Sequence, residues 1–502
     1  MIHSIRIQNF KSILDSGWIS IKPITFLYGP NASGKSAVLK AIQFLAETFN
    51  LSNDMSTPCL NSTEIDLGEF KNMVHKNNLK NPLIISLKYN ISSHIVRFVW
   101  KCKYIDENSY DINQSIILIP LMTRITINQK DSRSSTSHGY IQSISKKSEN
   151  NFYEYDTRQE KVLKREILQD FDDLNQHNDF KLIEMGKLIT DQYKRFSSDI
   201  KNYPNFDFES LSLRCIMAQH TDWIPSPHIL LLNQDEEKSL PLEQRTLFMQ
   251  RIPRDYIYFI ENAYAELYYC IRSISHIGPY RKPLSRDHVK TGNQLKSNIF
   301  VAADGRNVDL IISSNSDKIN LLAKINSCLD KIKLNYHIHL SQIKNHPLYK
   351  KLDIITVEDL ITKVQCGIVD VGHGVSQVIP IIVELLNERT KIVSIEQPEL
   401  HLHPAQQADL AEIIFYYSNL FIDDRVSMNS EPMYIMETHS EYMMLRLQKL
   451  IRTQKINNEN ASILYVSRND NGESEIRKIA LDEYGDMIDE WPNGFFEERY
   501  KE

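Results

Sequence analysis

The octet Gly29-Pro30-Asn31-Ala32-Ser33-Gly34-Lys35-Ser36 constrains the fold of this 502-residue chain more than any other segment. It follows Ile24-Thr25-Phe26-Leu27-Tyr28, a short apolar β run. It leads into residues 35–49, where Val38, Leu39, Ile42, Leu45 and Ala46 recur at helical spacing. Strand, glycine-containing turn and helix at the spacing GxxxxGK[ST] form the arrangement of a phosphate-binding loop. Backbone N–H groups wrap phosphate oxygens and the helix start adds its positive dipole end. The lysine reaches the outer phosphates, and the serine hydroxyl ligates Mg²⁺. Gly29, Asn31, Ser33, Gly34, Lys35 and Ser36 are therefore candidate binding residues, with ATP and Mg²⁺ the expected cofactors.

Three further segments carry chemistry. Ile392-Val393-Ser394-Ile395-Glu396-Gln397-Pro398-Glu399 is an apolar strand ending in acidic residues. One carboxylate there can hold hydrated Mg²⁺ beside Ser36, and a second can orient water. Glu396 is the candidate for the metal side. Gln397 follows directly, and an amide positions water but cannot accept a proton as a base. Either Glu399 supplies that carboxylate, or hydrolysis is slow. Gly372-His373-Gly374-Val375-Ser376-Gln377 precedes an apolar helical stretch at 378–386. Gly372, Gly374 and Ser376 form either a second anion-binding nest or a helix start capped by Ser376. A second nest is most useful when it closes over a nucleotide held by another subunit. Glu437-Thr438-His439-Ser440-Glu441 follows an apolar run at 433–436. His439 either hydrogen-bonds a γ-phosphate from the same crevice or is structural.

Strand-like runs at 391–395, 433–436 and 463–466 alternate with helical segments at 376–387 and 404–417, which implies an α/β sheet. Residues 1–100 and 271–460 read as two parts of one head, with an insertion at 101–270 and a small C-terminal extension at 461–502. In the insertion, Leu163, Ile167, Leu168, Phe171 and Leu174 predict one helix. Leu182, Met185, Leu188, Ile189, Tyr193 and Phe196 predict another, and the pair is too short for a long coiled-coil arm. Residues 130–150 are polar and read as an exposed loop.

Composition narrows the class. With 42% hydrophobic and 24% charged residues, the chain is a globular protein rather than a disordered or collagenous one. No apolar run is long enough to span a bilayer. A net charge of −6 argues against a surface that is all nucleic-acid footprint, while leaving room for a local basic groove. The six cysteines are scattered without a CxxC, which fits reduced thiols and offers no zinc site. The first ten residues hold charges and no apolar core, so they do not read as a secretion signal. The expected location is the cytoplasm.

Taken in order, these segments resemble the ABC-type ATPase heads of the RecF, SMC and OLD class. Asn9-Phe10-Lys11-Ser12 resembles that class's NF[KR]S start, whose basic residue lies near the nucleotide, and this adds Lys11 to the site. Gly372 to Gln377 occupies the signature position, Glu396 to Glu399 the acidic strand and His439 the switch histidine. Where many such heads carry a magnesium-sensing glutamine, Ile65-Asp66-Leu67-Gly68-Glu69-Phe70 has none. More narrowly, Glu396-Gln397-Pro398-Glu399-Leu400-His401-Leu402-His403-Pro404 resembles a subgroup of bacterial AAA-type ATPases. So do Gly278-Pro279-Tyr280-Arg281, Asp482-Glu483-Tyr484-Gly485 and Trp491-Pro492-Asn493-Gly494-Phe495-Phe496. Several members are ATPase subunits of two-gene anti-phage systems such as Septu, whose partner is an HNH nuclease.

The resemblance implies an α/β, ABC-type P-loop ATPase head with a mostly helical insertion and a small C-terminal region. It implies a slow ATPase that dimerises through its heads and gates a separate nuclease. The alternative it leaves is a DNA-repair ATPase of the RecF or SMC type acting directly on DNA.

Overall fold

The computed structural model describes residues 2–51, 58–91, 94–106, 109–119, 123–129, 138–144, 212–218, 226–231, 266–282, 300–346, 349–418 and 432–491. From the N-terminus, β1 (Ile2–Phe10), β2 (Ile13–Asp15), β3 (Ile19–Ser20) and β4 (Ile24–Tyr28) lead into helix α1 (Lys35–Leu51). A run of strands follows: β5 (Leu83–Ile91), β6 (His94–Asp106), β7 (Ser109–Ile119), β8 (Thr123–Gln129), β9 (His138–Ile144), β10 (Ser212–Ala218) and β11 (Ser226–Leu231). Next come β12 (Ile274–Ile277), α2 (Val308–Ser314), α3 (Lys318–Ile332), β13 (Tyr336–His346), β14 (Tyr349–Asp359) and β15 (Gln365–Gly367). The last third holds α4 (His373–Leu385), β16 (Ile392–Glu396), α5 (Pro404–Tyr417), β17 (Met433–Glu437), α6 (Glu441–Arg452), β18 (Ala461–Arg468) and β19 (Ser474–Ile479).

The chain divides into two compact units. One holds residues 1–6, 52–58 and 79–269, and the other 7–51, 59–78 and 270–502. The second unit is built on a six-stranded sheet in the order β12-β16-β17-β4-β18-β19. Its first five strands are parallel, and β19 pairs antiparallel at the edge. β4 comes from the start of the chain and its partners from the last half, so one sheet is closed across the intervening sequence. All five residues of β4, β16 and β17 are buried, as parallel strands covered on both faces must be.

Alternation assigns the two faces. Ile24, Phe26, Tyr28, Val393, Ile395, Tyr434 and Met436 join one core cluster with Val378, Ile382, Leu410, Ile414 and Leu447 of α4, α5 and α6. Phe26 meets Phe415 of α5 edge-on at 6.1 Å between ring centroids. The intervening residues Ser394, Glu396, Ile435 and Glu437 face the other way. Helix α1 contacts β12, β16 and β17 with residues outside that cluster, so it lies on their side. A parity rule of the pleated strand thus sends two glutamates toward the start of α1.

Helix starts are locally encoded. In Leu402-His403-Pro404, His403 caps α5: its Nδ1 accepts from Ala405 N–H at 3.3 Å, and Gln406 Oε1 accepts from His403 N–H at 3.2 Å. Pro404 fills the first helical position, where no N–H is needed. A three-stranded antiparallel sheet, β13-β14-β15, adds Ile338, Ile355 and Val357 to the same core beside Ile325, Leu329 and Ile332 of α3.

The first unit is an antiparallel succession from β5 to β11, each strand pairing with the next. Leu83, Ile85 and Leu87 stand opposite Cys102, Trp100 and Phe98, and all six are buried. The composition of 130–150 suggests a loop, yet β9 lies within it. Hydrogen-bond partners on both sides, β8 and β10, override the polar composition there. The described residues of the insertion between 101 and 231 are strands, and the two helices predicted at 163–174 and 182–196 fall outside the described residues.

One buried acid reports on the head's packing. Glu384 of α4 accepts from the Val301 N–H at 2.8 Å and from the Thr390 hydroxyl. Burial nevertheless pushes its pKa up to about 7. The folded state therefore holds this proton more tightly than the unfolded chain does. Its stabilising contribution is full below the ordinary glutamate range and is lost as pH rises through about 7. Between pH 5 and pH 8 the native protein should lose on the order of 3 kcal/mol more stability than Glu384→Gln, measured by urea unfolding. Parallel pH profiles for the two proteins would contradict this assignment.

Candidate nucleotide site

Residues 29–36 form a loop that only this sequence pattern allows. Gly29 has φ +145°, and a Cβ there would sit 2.1 Å from the Val466 carbonyl oxygen. Gly34 has φ +111°, and its Cβ would meet Ser474 Oγ at 2.1 Å. The loop is braced from behind by Ser474 at the start of β19. Its hydroxyl donates to the Ser33 carbonyl at 2.6 Å and lies 2.7 Å from Ser12 Oγ. Because α1 begins at Lys35, the first N–H groups of the helix lack intrahelical acceptors and remain available to an anion.

Lys35 is buried. Its ammonium donates to the Gly29 and Pro30 carbonyls, each at 2.9 Å, and stands 3.9 Å from Glu437 Oε1. Burial lowers its pKa, and the charges of Glu437 and Glu399 work against that. The Ser36 hydroxyl donates to Glu437 Oε2 at 2.7 Å. Asn31 is exposed at the loop tip, whereas the buried Ser33 hydroxyl has no hydrogen-bond partner.

The acidic strand ends beside this loop. Glu396 is in register with Glu437 on the neighbouring strand. Its carboxylate lies 3.4 Å from His276 Nε2, and His276 Nδ1 is 2.7 Å from the Ser394 hydroxyl. Gln397 adopts φ +46°, and its N–H donates to the Glu437 carbonyl at 2.7 Å. Glu399 Oε1 accepts from the His439 N–H at 2.8 Å, while its buried Oε2 has no partner. Burial raises the pKa of Glu399 and of Glu437, the latter opposed by the Ser36 hydrogen bond. Burial, followed by the charge of Lys35, pushes His439 below the ordinary histidine range, which favours a neutral imidazole. Lys11, at φ +47°, is lowered by burial and by Lys40 and drawn back up by Glu396 and Asp66. Asp66 lies in the segment where the resemblance would place a glutamine.

The signature-like segment starts α4 three residues before Ser376. Gly372 and His373 are exposed at that start. Ser376 is not the cap; it is buried, with its hydroxyl donating to the His373 carbonyl at 3.0 Å. A Cβ on Gly374 would come 3.1 Å from the His401 carbonyl oxygen. The next residue, Gln377, ties this helix to the acidic strand through Arg281. Gln377 Oε1 accepts from the Arg281 N–H at 3.2 Å, and its amide donates to the Arg281 carbonyl. Arg281 is 2% exposed, and its guanidinium donates to the Glu396 carbonyl at 2.7 Å and the Gln397 carbonyl at 3.4 Å. Burial lowers its pKa to about 10, against the charges of Glu399 and Glu396.

Charge coupling thus joins Lys11, Lys35, Glu396, Glu399 and His439, with Ser36 held through Glu437. Residue-by-residue reading of the sequence missed Glu437, His276 and Arg281. Glu437 stood beside His439 in a recognised segment, but only the strand order puts it against Ser36. The site suits a triphosphate with a hard divalent cation, since it offers a glycine cradle, two buried oxygens without partners and oxygen donors throughout. Among the described residues no three acidic, histidine or cysteine side chains converge on one point. Phosphate oxygens and water would complete a cation's shell.

Removing Arg281 tests this scaffold. Arg281→Ala leaves the buried Glu396 carbonyl and the half-buried Gln397 carbonyl without this donor and should cost about 2–4 kcal/mol in chemical unfolding. Arg281→Lys, which keeps the charge but not the planar fork, should recover part of it. An Ala variant as stable as the parent would show that the tie is dispensable.

Residues 1–444 match the family model AAA_15, the AAA ATPase domain. Residues 456–502 match a second model, Protein of unknown function (DUF3696). No curated protein matches the chain in sequence. Among solved structures, an SMC head bound to the C-winged helix domain of ScpA is 12% identical over 96% of this chain and 98% of that one, with a TM-score of 0.39. The SMC head domain from Thermotoga maritima is 9% identical over 96% and 99%, at 0.34. A Pyrococcus furiosus Smc head with an extended coiled coil, bound to the C-terminal domain of ScpA, is 14% identical over 95% and 96%, at 0.38. At these scores the likenesses do not bear on the assignment, which rests on the family model spanning most of the chain. With a phosphate loop, its lysine and serine and an adjoining acidic strand in one crevice, the chain belongs to the AAA ATPase domain family AAA_15 and is an ATPase.

Proposed function

We propose that the chain is an ATP-gated head that dimerises and thereby controls a separate effector, an HNH nuclease in anti-phage defence. The observation that carries the dimer is the exposed start of α4. Gly372 and His373 face solvent, while Val375 to Leu385 are buried and the helix is tied through Gln377 and Arg281 to the strand bearing Glu396. A helix start of this kind can bind an anion through its first N–H groups. The triphosphate held by the phosphate loop of a second copy is the ligand it fits.

In this reading the N–H groups of residues 29–36 and the Lys35 ammonium hold the phosphates. Gly372, Gly374 and Ser376 of the second copy close over them. Ser36 would hold Mg²⁺ and Glu396 the water around it, and the ion would neutralise phosphate charge during transfer. Gln397 positions water, Glu399 supplies the nearby carboxylate, and the neutral His439 ring donates a hydrogen bond toward the outer phosphate. With an amide where a base would act, turnover is slow and bound ATP serves as a signal. Residues 101–270 and 461–502 are the docking surfaces for the effector. The second family match at 456–502 supports a distinct C-terminal element, in keeping with the subgroup whose members work beside nucleases. The setting proposed is the cytoplasm; among the described residues, no helix is long and apolar enough to cross a membrane.

Native mass measurement with and without a slowly hydrolysed ATP analogue tests the gate. The parent should shift from a smaller to a larger oligomer when nucleotide and Mg²⁺ are added, and Lys35→Ala should not. A single mass in both conditions, or parent-like assembly by Lys35→Ala, would sink the proposal. DNA binding by the chain alone that weakens steeply with salt would favour direct action on DNA instead.

A further inference from the structure

We infer that Glu437 is the carboxylate that shares the metal ion with Ser36, standing between the phosphate loop and Glu396; this rests on the nucleotide site proposed above. The strand order carries the point. β17 lies between β4 and β16, with Glu437 in register with Leu27 of β4 and with Glu396 of β16. At about 4.8 Å between neighbouring strands, Glu437 is one strand from the loop-bearing strand and Glu396 is two. Both carboxylates project to the face where α1 begins. It is Glu437 that accepts the Ser36 hydroxyl, at 2.7 Å, whereas Glu396 rests on His276.

The charge balance then requires a cation. Lys35 is already shared among Glu437 and the Gly29 and Pro30 carbonyls. A triphosphate on this loop brings several negative charges against a carboxylate that is 6% exposed and has little water to screen it. A divalent ion held by Glu437 and Ser36 would remove the repulsion, and the Ser36–Glu437 hydrogen bond keeps the two oxygens together for it. Glu396, one strand further out and paired with His276, is then placed for a water-mediated role. Glu437 accordingly makes the chain's grip on ATP metal-dependent.

The test uses the full chain and a fluorescent ATP analogue, titrated in EDTA and again in Mg²⁺, with Mn²⁺ binding followed by electron paramagnetic resonance. In Glu437→Gln, Mn²⁺ affinity in the presence of nucleotide should fall by about tenfold or more. Nucleotide affinity in EDTA should stay equal or rise, because the repelling charge is gone, so the gain on adding Mg²⁺ collapses. A merely structural role would lower the unfolding midpoint without touching that gain. Parent-like metal dependence in Glu437→Gln, or its loss in Glu396→Gln alone, would overturn the inference. Lys35→Ala separates the two levels of the argument, since it should weaken nucleotide binding with and without metal. If the parent chain bound no nucleotide in either buffer, the underlying site would fail as well.

Discussion

The placement of β17 between β4 and β16 is the constraint on which the site depends. Parallel pairing lines up the carboxyl ends of the three strands, and side-chain alternation turns Glu396 and Glu437 to the face where α1 starts. Lys35 and Ser36 meet Glu396 and Glu437 there from opposite ends of the chain. Their charges sit in a desolvated corner. Burial raises the pKa of Glu437 and Glu399 and lowers that of Lys35. Strain accompanies them: Gln397 holds a left-handed backbone and hands its N–H to the Glu437 carbonyl. Such an arrangement persists because the sheet beneath it is packed on both faces.

Arg281 extends the same logic outward. A guanidinium removed from water and bonded to two carbonyls of the acidic strand is expensive to bury, and it is retained with Gln377 clamping its backbone. The result is that the start of α4 and the end of β16 cannot move independently. Should the exposed start of α4 at Gly372 and His373 meet a second copy's nucleotide, the acidic strand of this chain sits two hydrogen-bonded links away.

Much of the head was legible because its elements announce themselves locally. β4, α1, β16, α5 and β17 follow from apolar runs, helical spacing and a glycine loop. The start of α4 was misplaced because Ser376 looks like a cap, whereas the exposed Gly372 opens the helix and Ser376 turns inward. Glu437 was hidden for a different reason. His439, two residues on, drew attention, and strand order is a non-local property that no window of sequence contains. Arg281 was visible only as part of a resemblance, since its partners lie about a hundred residues further along the chain. The strands from β7 to β11 escaped notice because their ladders depend on neighbours rather than on apolar content.

Hydrogen–deuterium exchange, with and without a slowly hydrolysed ATP analogue and Mg²⁺ and at several protein concentrations, tests the central claim most directly. Residues 29–36 should be protected by nucleotide at every concentration. Residues 372–377 should gain protection only with nucleotide, and only at concentrations where a second copy is bound. Protection at 29–36 with residues 372–377 unchanged throughout would contradict the account, leaving an ATPase whose heads do not close on one another.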